Sequence, residues 1–62
     1  MLKMLEVTES SPDGYSEAVR KAVQKIIDSG QKVHFFNIVE QRGSVRDGQI
    51  KEFQVIVKIA VE

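Results

Sequence analysis

Val45-Arg46-Asp47-Gly48-Gln49-Ile50 is the stretch that decides the fold of this 62-residue chain. An Asp-Gly dipeptide between two β-forming runs is the strongest short-range signal for a hairpin, because both positions of its tight turn need positive φ angles. The flanking runs, Val33 to about Val45 and Gln49 to Val61, are therefore predicted to be two long antiparallel strands.

A two-residue turn after Arg46 also predicts the register of the two strands. An uninterrupted ladder places Phe36 opposite Ile59. The same ladder places Gln41 opposite Gln54. Successive side chains then alternate between the two faces of the sheet.

The predicted register gives the sheet one apolar face and one mixed face. The apolar face is expected to receive the helix and carries Phe36, Ile38, Phe53, Val55, Val57, Ile59 and Val61. The mixed face carries Phe35, Asn37, Val39, Gln41, Gln54, Ile56, Lys58 and Ala60. Because one helix cannot cover both faces of a three-stranded sheet, we predict that the mixed face is a subunit interface.

The residues before the hairpin predict one helix and one short strand. The helix is indicated by apolar residues at helical spacing, which are Tyr15, Ala18, Val19, Ala22, Val23, Ile26 and Ile27. We expect Ser11 to cap this helix, Pro12 to occupy its first position and Gly30 to end it. Leu2 to Thr8 is predicted as the first strand. The order β-α-β-β defines an α+β fold, with residues 1–62 as a single domain.

Composition limits the classes of function. A chain of this size buries only about 60% of the surface that it exposes when unfolded. It has no cysteine and one histidine, so disulfides and an ordinary zinc site are excluded, and self-association is the expected source of further stability. Nine basic and nine acidic residues are scattered along the chain, without the basic stripe of a nucleic-acid-binding protein.

The same composition gives an expected location. No apolar run approaches the roughly 20 residues of a membrane span, so no membrane partner is predicted. The first residues do not resemble a signal peptide, and the lack of cysteine fits a reducing compartment, so we expect the protein to be cytoplasmic. The chain has no carboxylate pair or glycine-rich phosphate loop at catalytic spacing, so no catalytic residue and no enzyme activity are predicted.

Several segments together resemble the dodecin family. They are the helix entry Ser11–Tyr15, which continues into Glu17–Val19, the segment Val39–Gly43, the Asp47-Gly48 turn and the strand segment Lys51–Val55. The resemblance covers nearly the whole chain. It implies a β-α-β-β subunit in which a three-stranded antiparallel sheet wraps around one helix. It also implies a hollow homododecamer that binds flavin, either FMN or riboflavin, for storage or buffering.

The resemblance further implies which residues contact the flavin. The family's stacking residue is usually a tryptophan, and Phe35 occupies the matching position in a chain that has no tryptophan. The glutamine that contacts the flavin ring matches Gln54. The arginine that lies near the flavin phosphate in some bacterial members matches Arg42. His34 occupies the position beside the stacking residue, where an acidic residue is common.

The chemistry of these side chains fits a flat aromatic ligand. Phe35 offers a ring for stacking, although this ring is smaller and less electron-rich than indole, so weaker binding and poorer quenching are expected. Gln54 offers donors and an acceptor to the edge of a flavin ring, and Arg42 can bind a phosphate with two hydrogen bonds. Phe35 and Gln54 lie six residues apart in the predicted register, about 20 Å. A ligand that contacts both therefore has to lie between two chains.

Each of these residues also has a structural interpretation. Phe35 could be a plain interface contact and Gln54 a cross-strand partner of Gln41. Arg42 could be an ion-pair partner of Glu40 or Glu52 across an interface, and His34 a solvated edge residue. The alternative function keeps the shell but fills it with a metal ion, calcium or magnesium, or with another small ligand. The oxygen donors available for such an ion are Glu6, Glu9, Glu40 and Glu52. None has the spacing of a metal-binding loop, so no metal site is predicted.

Overall fold

The protein has the predicted element order β-α-β-β in a computed structural model that describes residues 1–62. The elements are β1 (Lys3–Ser11), α1 (Tyr15–Asp28), β2 (Val33–Arg46) and β3 (Gln49–Val61). The strands form one antiparallel sheet in the order β1-β3-β2. The predicted α+β fold is confirmed, and the C-terminal strand is the central one.

The hairpin turn is formed as the sequence predicts. Asp47 and Gly48 have φ angles of 53° and 75°, so both turn positions lie in the region that a type I′ turn requires. Arg46 pairs with Gln49 directly beside the turn, as expected.

The uninterrupted register between β2 and β3 is wrong, because β-bulges interrupt it. The pairing shifts by one residue at three places, leaving Lys51 unpaired on β3, and Val39 and His34 unpaired on β2. The shift at Lys51 is reversed at Val39, so Phe36 still pairs with Ile59 as predicted. Each bulge inserts a residue that has no partner and reassigns the side chains beyond it.

Between the bulges at Lys51 and Val39, the side chains of β2 lie on the opposite faces from those that the uninterrupted register predicts. Gln54 pairs with Arg42, whereas Gln41 pairs with Val55. We call the face towards α1 the inner face and the opposite one the outer face. Gln41 lies on the inner face, where it lines a depression together with Tyr15 of α1. The outer face consists of Phe35, Asn37, Glu40, Arg42 and Ser44 of β2, the facing residues Glu52, Gln54, Ile56, Lys58 and Ala60 of β3, and Met4, Glu6, Thr8 and Ser10 of β1.

The start of the helix differs from the prediction. Ser11 does not cap α1; its Oγ accepts a hydrogen bond from the Asp13 N–H (3.0 Å) and closes a turn before the helix. Pro12 therefore lies in this turn and not at the first helical position. The first strand also continues beyond Thr8, because Ser10 and Ser11 pair with β3.

Glycine residues bound the helix on both sides. Gly14 is the N-terminal flanking residue, with φ at 149°, and its carbonyl accepts the Ala18 N–H at 3.2 Å. The predicted end at Gly30 is confirmed: its φ is 90° and its N–H donates to the Ile27 carbonyl at 3.0 Å. Both φ values favour glycine over residues with a Cβ atom.

The core is small and centred on β3. Only 8 of the 62 residues are buried, so the subunit alone has a limited store of buried apolar surface. The central cluster joins two helical alanines to the inner face of β3 and consists of Ala18, Ala22, Val55, Val57, Ile59 and Val61.

β2 lies largely outside this core. The helix packs mainly on β1 and β3, so the expectation that it would cover Phe36 and Ile38 is wrong. Both side chains are exposed. A helix is about 10 Å wide and strands lie about 4.8 Å apart, so one helix covers about two of the three strands.

The carboxylate of Glu9 on β1 forms ion pairs with two lysines of the helix. Glu9 Oε2 lies 3.1 Å from Lys25 Nζ, and Glu9 Oε1 lies 3.8 Å from Lys21 Nζ. Lys21 Nζ also donates a hydrogen bond to the Ser10 carbonyl at 2.7 Å. The hydrogen bond from Lys25 is the main cause that lowers the pKa of Glu9 below its ordinary value of 4.5.

We predict that Glu9→Gln lowers the free energy of unfolding at pH 7 by at most about 1 kcal/mol, because both lysines are partly solvated. A carboxyl with a lowered folded-state pKa contributes this stability above its ordinary pKa and loses it as the pH falls through the folded-state value. Thermal unfolding of the two proteins should therefore show a larger difference in stability at pH 7 than at pH 3. Glu17→Gln, in an exposed pair with Arg20, is the control, and an equal loss in both variants would contradict the assignment.

Candidate functional site

Phe35 presents an aromatic ring on the outer face near the start of β2. Its side chain is 49% exposed. Across the sheet it pairs with Ala60, and Met4 of β1 lies beyond Ala60. Ala60 itself is fully buried, so the exposed apolar surface here belongs to Phe35 and Met4. Another aromatic ring can stack on the exposed ring of Phe35.

Gln54 and Arg42 form a polar pair on the same face. Arg42 Nε donates a hydrogen bond to Gln54 Oε1 at 2.9 Å. Arg42 Nη1 lies 3.6 Å from Glu40 Oε2 on the same strand, an ion pair within the subunit and not across an interface. On the other side of Gln54, Ser10 of β1 is its pairing partner. The amide therefore lies in the middle of the sheet, between two strands.

The structure brings Arg42 and Gln54 together but leaves Phe35 apart from them. Phe35 is opposite Ala60, and Gln54 lies six residues from Ala60 along β3. At roughly 3.3 Å per residue this separation is about 20 Å. One flat ligand of ordinary size cannot contact both ends within one subunit.

His34 lies at the end of the sheet in the bulge that precedes Phe35. Its Nε2 is 2.7 Å from Glu62 Oε1, and the Glu62 N–H donates to the Lys32 carbonyl at 3.0 Å. His34 is thus tied to the C-terminal residue. It is next to Phe35 in sequence and lies far along the sheet from Gln54.

The two larger hollows of the subunit lie on its inner face, and a smaller one of about 270 Å³ lies beside the hairpin turn. Two adjoining depressions of about 460 and 400 Å³ separate α1 from β2 and share Val19, Arg20 and Phe36. Neither is lined by any of the four predicted site residues. The outer face forms no comparable hollow in one subunit, so a closed pocket there needs a second chain.

The four glutamates considered as metal donors are spread over the molecule. Glu9 is held by lysines of α1, Glu40 lies beside Arg42, and Glu6 is opposite Lys58. No group of three histidine, cysteine, aspartate or glutamate side chains converges within the subunit. The one helix is too short and too polar to cross a bilayer.

Comparison with known proteins gives consistent matches over nearly the full chain. The family model described as Dodecin matches residues 1–62. Dodecin from Streptomyces coelicolor is 34% identical, with a TM-score of 0.91 over 98% of this chain and 87% of that chain. Dodecin from Streptomyces davaonensis is 28% identical, with a TM-score of 0.91 over 98% and 90% of the two chains.

A more distant neighbour shares the fold. It is a Thermus thermophilus dodecin variant with tryptophan replaced by phenylalanine, 24% identical, with a TM-score of 0.91 over 98% of this chain and 91% of that chain. A search of curated proteins found no match.

Proposed function

The chain belongs to the dodecin family, and on that premise we propose that it is a subunit of a hollow homododecamer that binds flavin, FMN or riboflavin, between subunits. The proposed role is storage or buffering of flavin in the cytoplasm, without turnover. The observation that carries the proposal is the outer face, where an exposed aromatic ring and an amide lie about 20 Å apart on the same side of the sheet.

Assembly is supported by the amount of apolar surface that a lone subunit leaves in water. The first half of β2 exposes aromatic and aliphatic side chains, namely Phe35, Phe36, Ile38 and Val39. At the hairpin tip, the paired residues Val45 and Ile50 are 69% and 65% exposed. Clustered exposure of this kind marks an interaction surface, and copies of the same chain are the partner that the family supplies.

The proposed site uses residues from different copies of the chain. Phe35 of one subunit stacks on the isoalloxazine ring, and Gln54 of another contacts the edge of that ring. Arg42 lies beside Gln54, and the N–H groups of its guanidinium that remain free can face a phosphate when the ligand is FMN. His34 borders the stacking residue, where its imidazole can donate or accept a hydrogen bond.

Stacking on Phe35 is expected to give weaker flavin binding and poorer fluorescence quenching than stacking on a tryptophan would. The phenylalanine ring offers less area for contact than an indole and is less electron-rich. The fold itself accepts this exchange, because the Thermus variant with phenylalanine in place of a tryptophan has the same architecture. We therefore expect this chain to differ from a tryptophan-bearing family member in flavin affinity and quenching, and not in fold.

We predict that the purified protein has a mass near twelve times that of its 7.0 kDa subunit. It should also quench the fluorescence of added FMN or riboflavin, because stacking of the isoalloxazine ring in the site opens non-radiative routes for the decay of its excited state. Light scattering and a fluorescence titration measure the two properties separately. A monomer would contradict the assembly, whereas a dodecamer that leaves flavin fluorescence unchanged would contradict flavin binding alone.

We predict that Phe35→Trp strengthens flavin binding and quenching, and that Phe35→Leu weakens binding about fivefold, because leucine keeps apolar volume but cannot stack. Dissociation constants from fluorescence titration of the assembled variants measure the change. Phe36→Leu is the matched control, since Phe36 is similarly exposed but points to the inner face. Equal weakening by the two leucine variants would contradict a stacking role for Phe35.

A further inference from the structure

The bulge at Lys51 decides which side chain lies opposite Gln54, and the bulge at Val39 restores the original register beyond it. Without any bulge, Gln41 would occupy that position, and two amides would face each other in either of two orientations. The bulge at Lys51 instead places Arg42 there. Bulges commonly redirect a side chain in this way.

The guanidinium group fixes the orientation of the amide by its chemistry. Arginine carries only hydrogen-bond donors, so the atom of Gln54 that faces Arg42 Nε at 2.9 Å has to be the carbonyl oxygen Oε1. A flipped amide would bring the NH₂ group of Gln54 against another donor. The Glu40 carboxylate, 3.6 Å from Arg42 Nη1, holds the guanidinium from the same strand.

We infer that Arg42 is a positioning residue for Gln54 and that this pairing sets what the site recognises. With Oε1 turned to β2, the Gln54 NH₂ group makes no hydrogen bond within the subunit and presents its donors to a ligand. The ligand class that fits is a flat heteroaromatic ring with a carbonyl oxygen on its edge, as in the pyrimidine part of a flavin. This inference rests on the proposed flavin function and adds the direction of the hydrogen bond.

Positioning and phosphate binding give different results for two flavins. A phosphate ligand matters for FMN and is irrelevant for riboflavin, which has no phosphate. A positioning residue matters equally for both, because both have the same ring. The ratio of the two dissociation constants therefore separates the two roles of Arg42.

The experiment measures FMN and riboflavin titrations on the wild-type particle and on Arg42→Met, Gln54→Ala and the double variant. Methionine keeps an unbranched side chain but removes all the donors. We expect Arg42→Met to weaken riboflavin binding about fivefold and FMN binding by at least that factor, and to have no further effect on riboflavin binding in the Gln54→Ala background. Arg46→Met, which removes a positive charge beside the turn, should leave both affinities unchanged.

Particle mass by light scattering accompanies every titration. If Arg42→Met does not assemble, Arg42→Lys replaces it, since lysine keeps the charge but lacks the planar guanidinium. Equal weakening of both flavins in the lysine variant supports positioning, and restored FMN binding with weak riboflavin binding overturns it.

Two further results overturn the inference while leaving flavin binding intact. One is a loss confined to FMN in Arg42→Met, and the other is an undiminished loss of riboflavin binding in the Gln54→Ala background. A wild-type particle that binds neither flavin overturns the proposed function, and the inference with it.

Discussion

The packing of one helix on β3 is the interaction on which the rest of the structure depends. Val55, Val57 and Ile59 on the inner face of the central strand meet Ala18 and Ala22 of α1, and these residues make up most of the fully buried core. The two alanines let the helix approach the sheet closely, which gives good contact but little apolar area. A single helix then leaves the edge strand β2 exposed to water, and this uncovered strand is what makes the subunit incomplete by itself.

The bulges in the hairpin turn this incomplete subunit into one with a defined polar pair. Lys51 and Val39 each shift the register by one residue in opposite senses, so only the short segment between them changes face. The pairing of Phe36 with Ile59 is preserved, and Arg42 takes the place of Gln41 opposite Gln54. The two bulges therefore change both faces of β2 only between them, placing Arg42 on the outer face and Gln41 on the inner one.

The elements could be predicted from the sequence because each has its own local cause. The Asp47-Gly48 turn needs two positive φ angles, and the helical stripe and Gly30 act within a few residues. The register could not be predicted in the same way, since Val39 and Lys51 are ordinary strand residues that carry no sign of a bulge. The pairing of Arg42 with Gln54 was missed for this reason.

The predicted start of the helix was wrong because its sequence signal is ambiguous. A serine followed by proline is typical of a helix start, but the same serine hydroxyl can close a turn two residues long, and here it accepts from Asp13. What distinguishes the two is the glycine at position 14, whose φ of 149° allows the chain to turn once more before the helix begins.

A site shared between chains links ligand binding to assembly. A ligand that contacts Phe35 of one subunit and Gln54 of another binds the particle and not the separate chain, so by mass action it stabilises the particle. A small core makes this link matter more, because the lone subunit has little stability of its own to set against dissociation. On the proposed function, the same outer face therefore accounts for both the storage of flavin and the persistence of the shell that stores it.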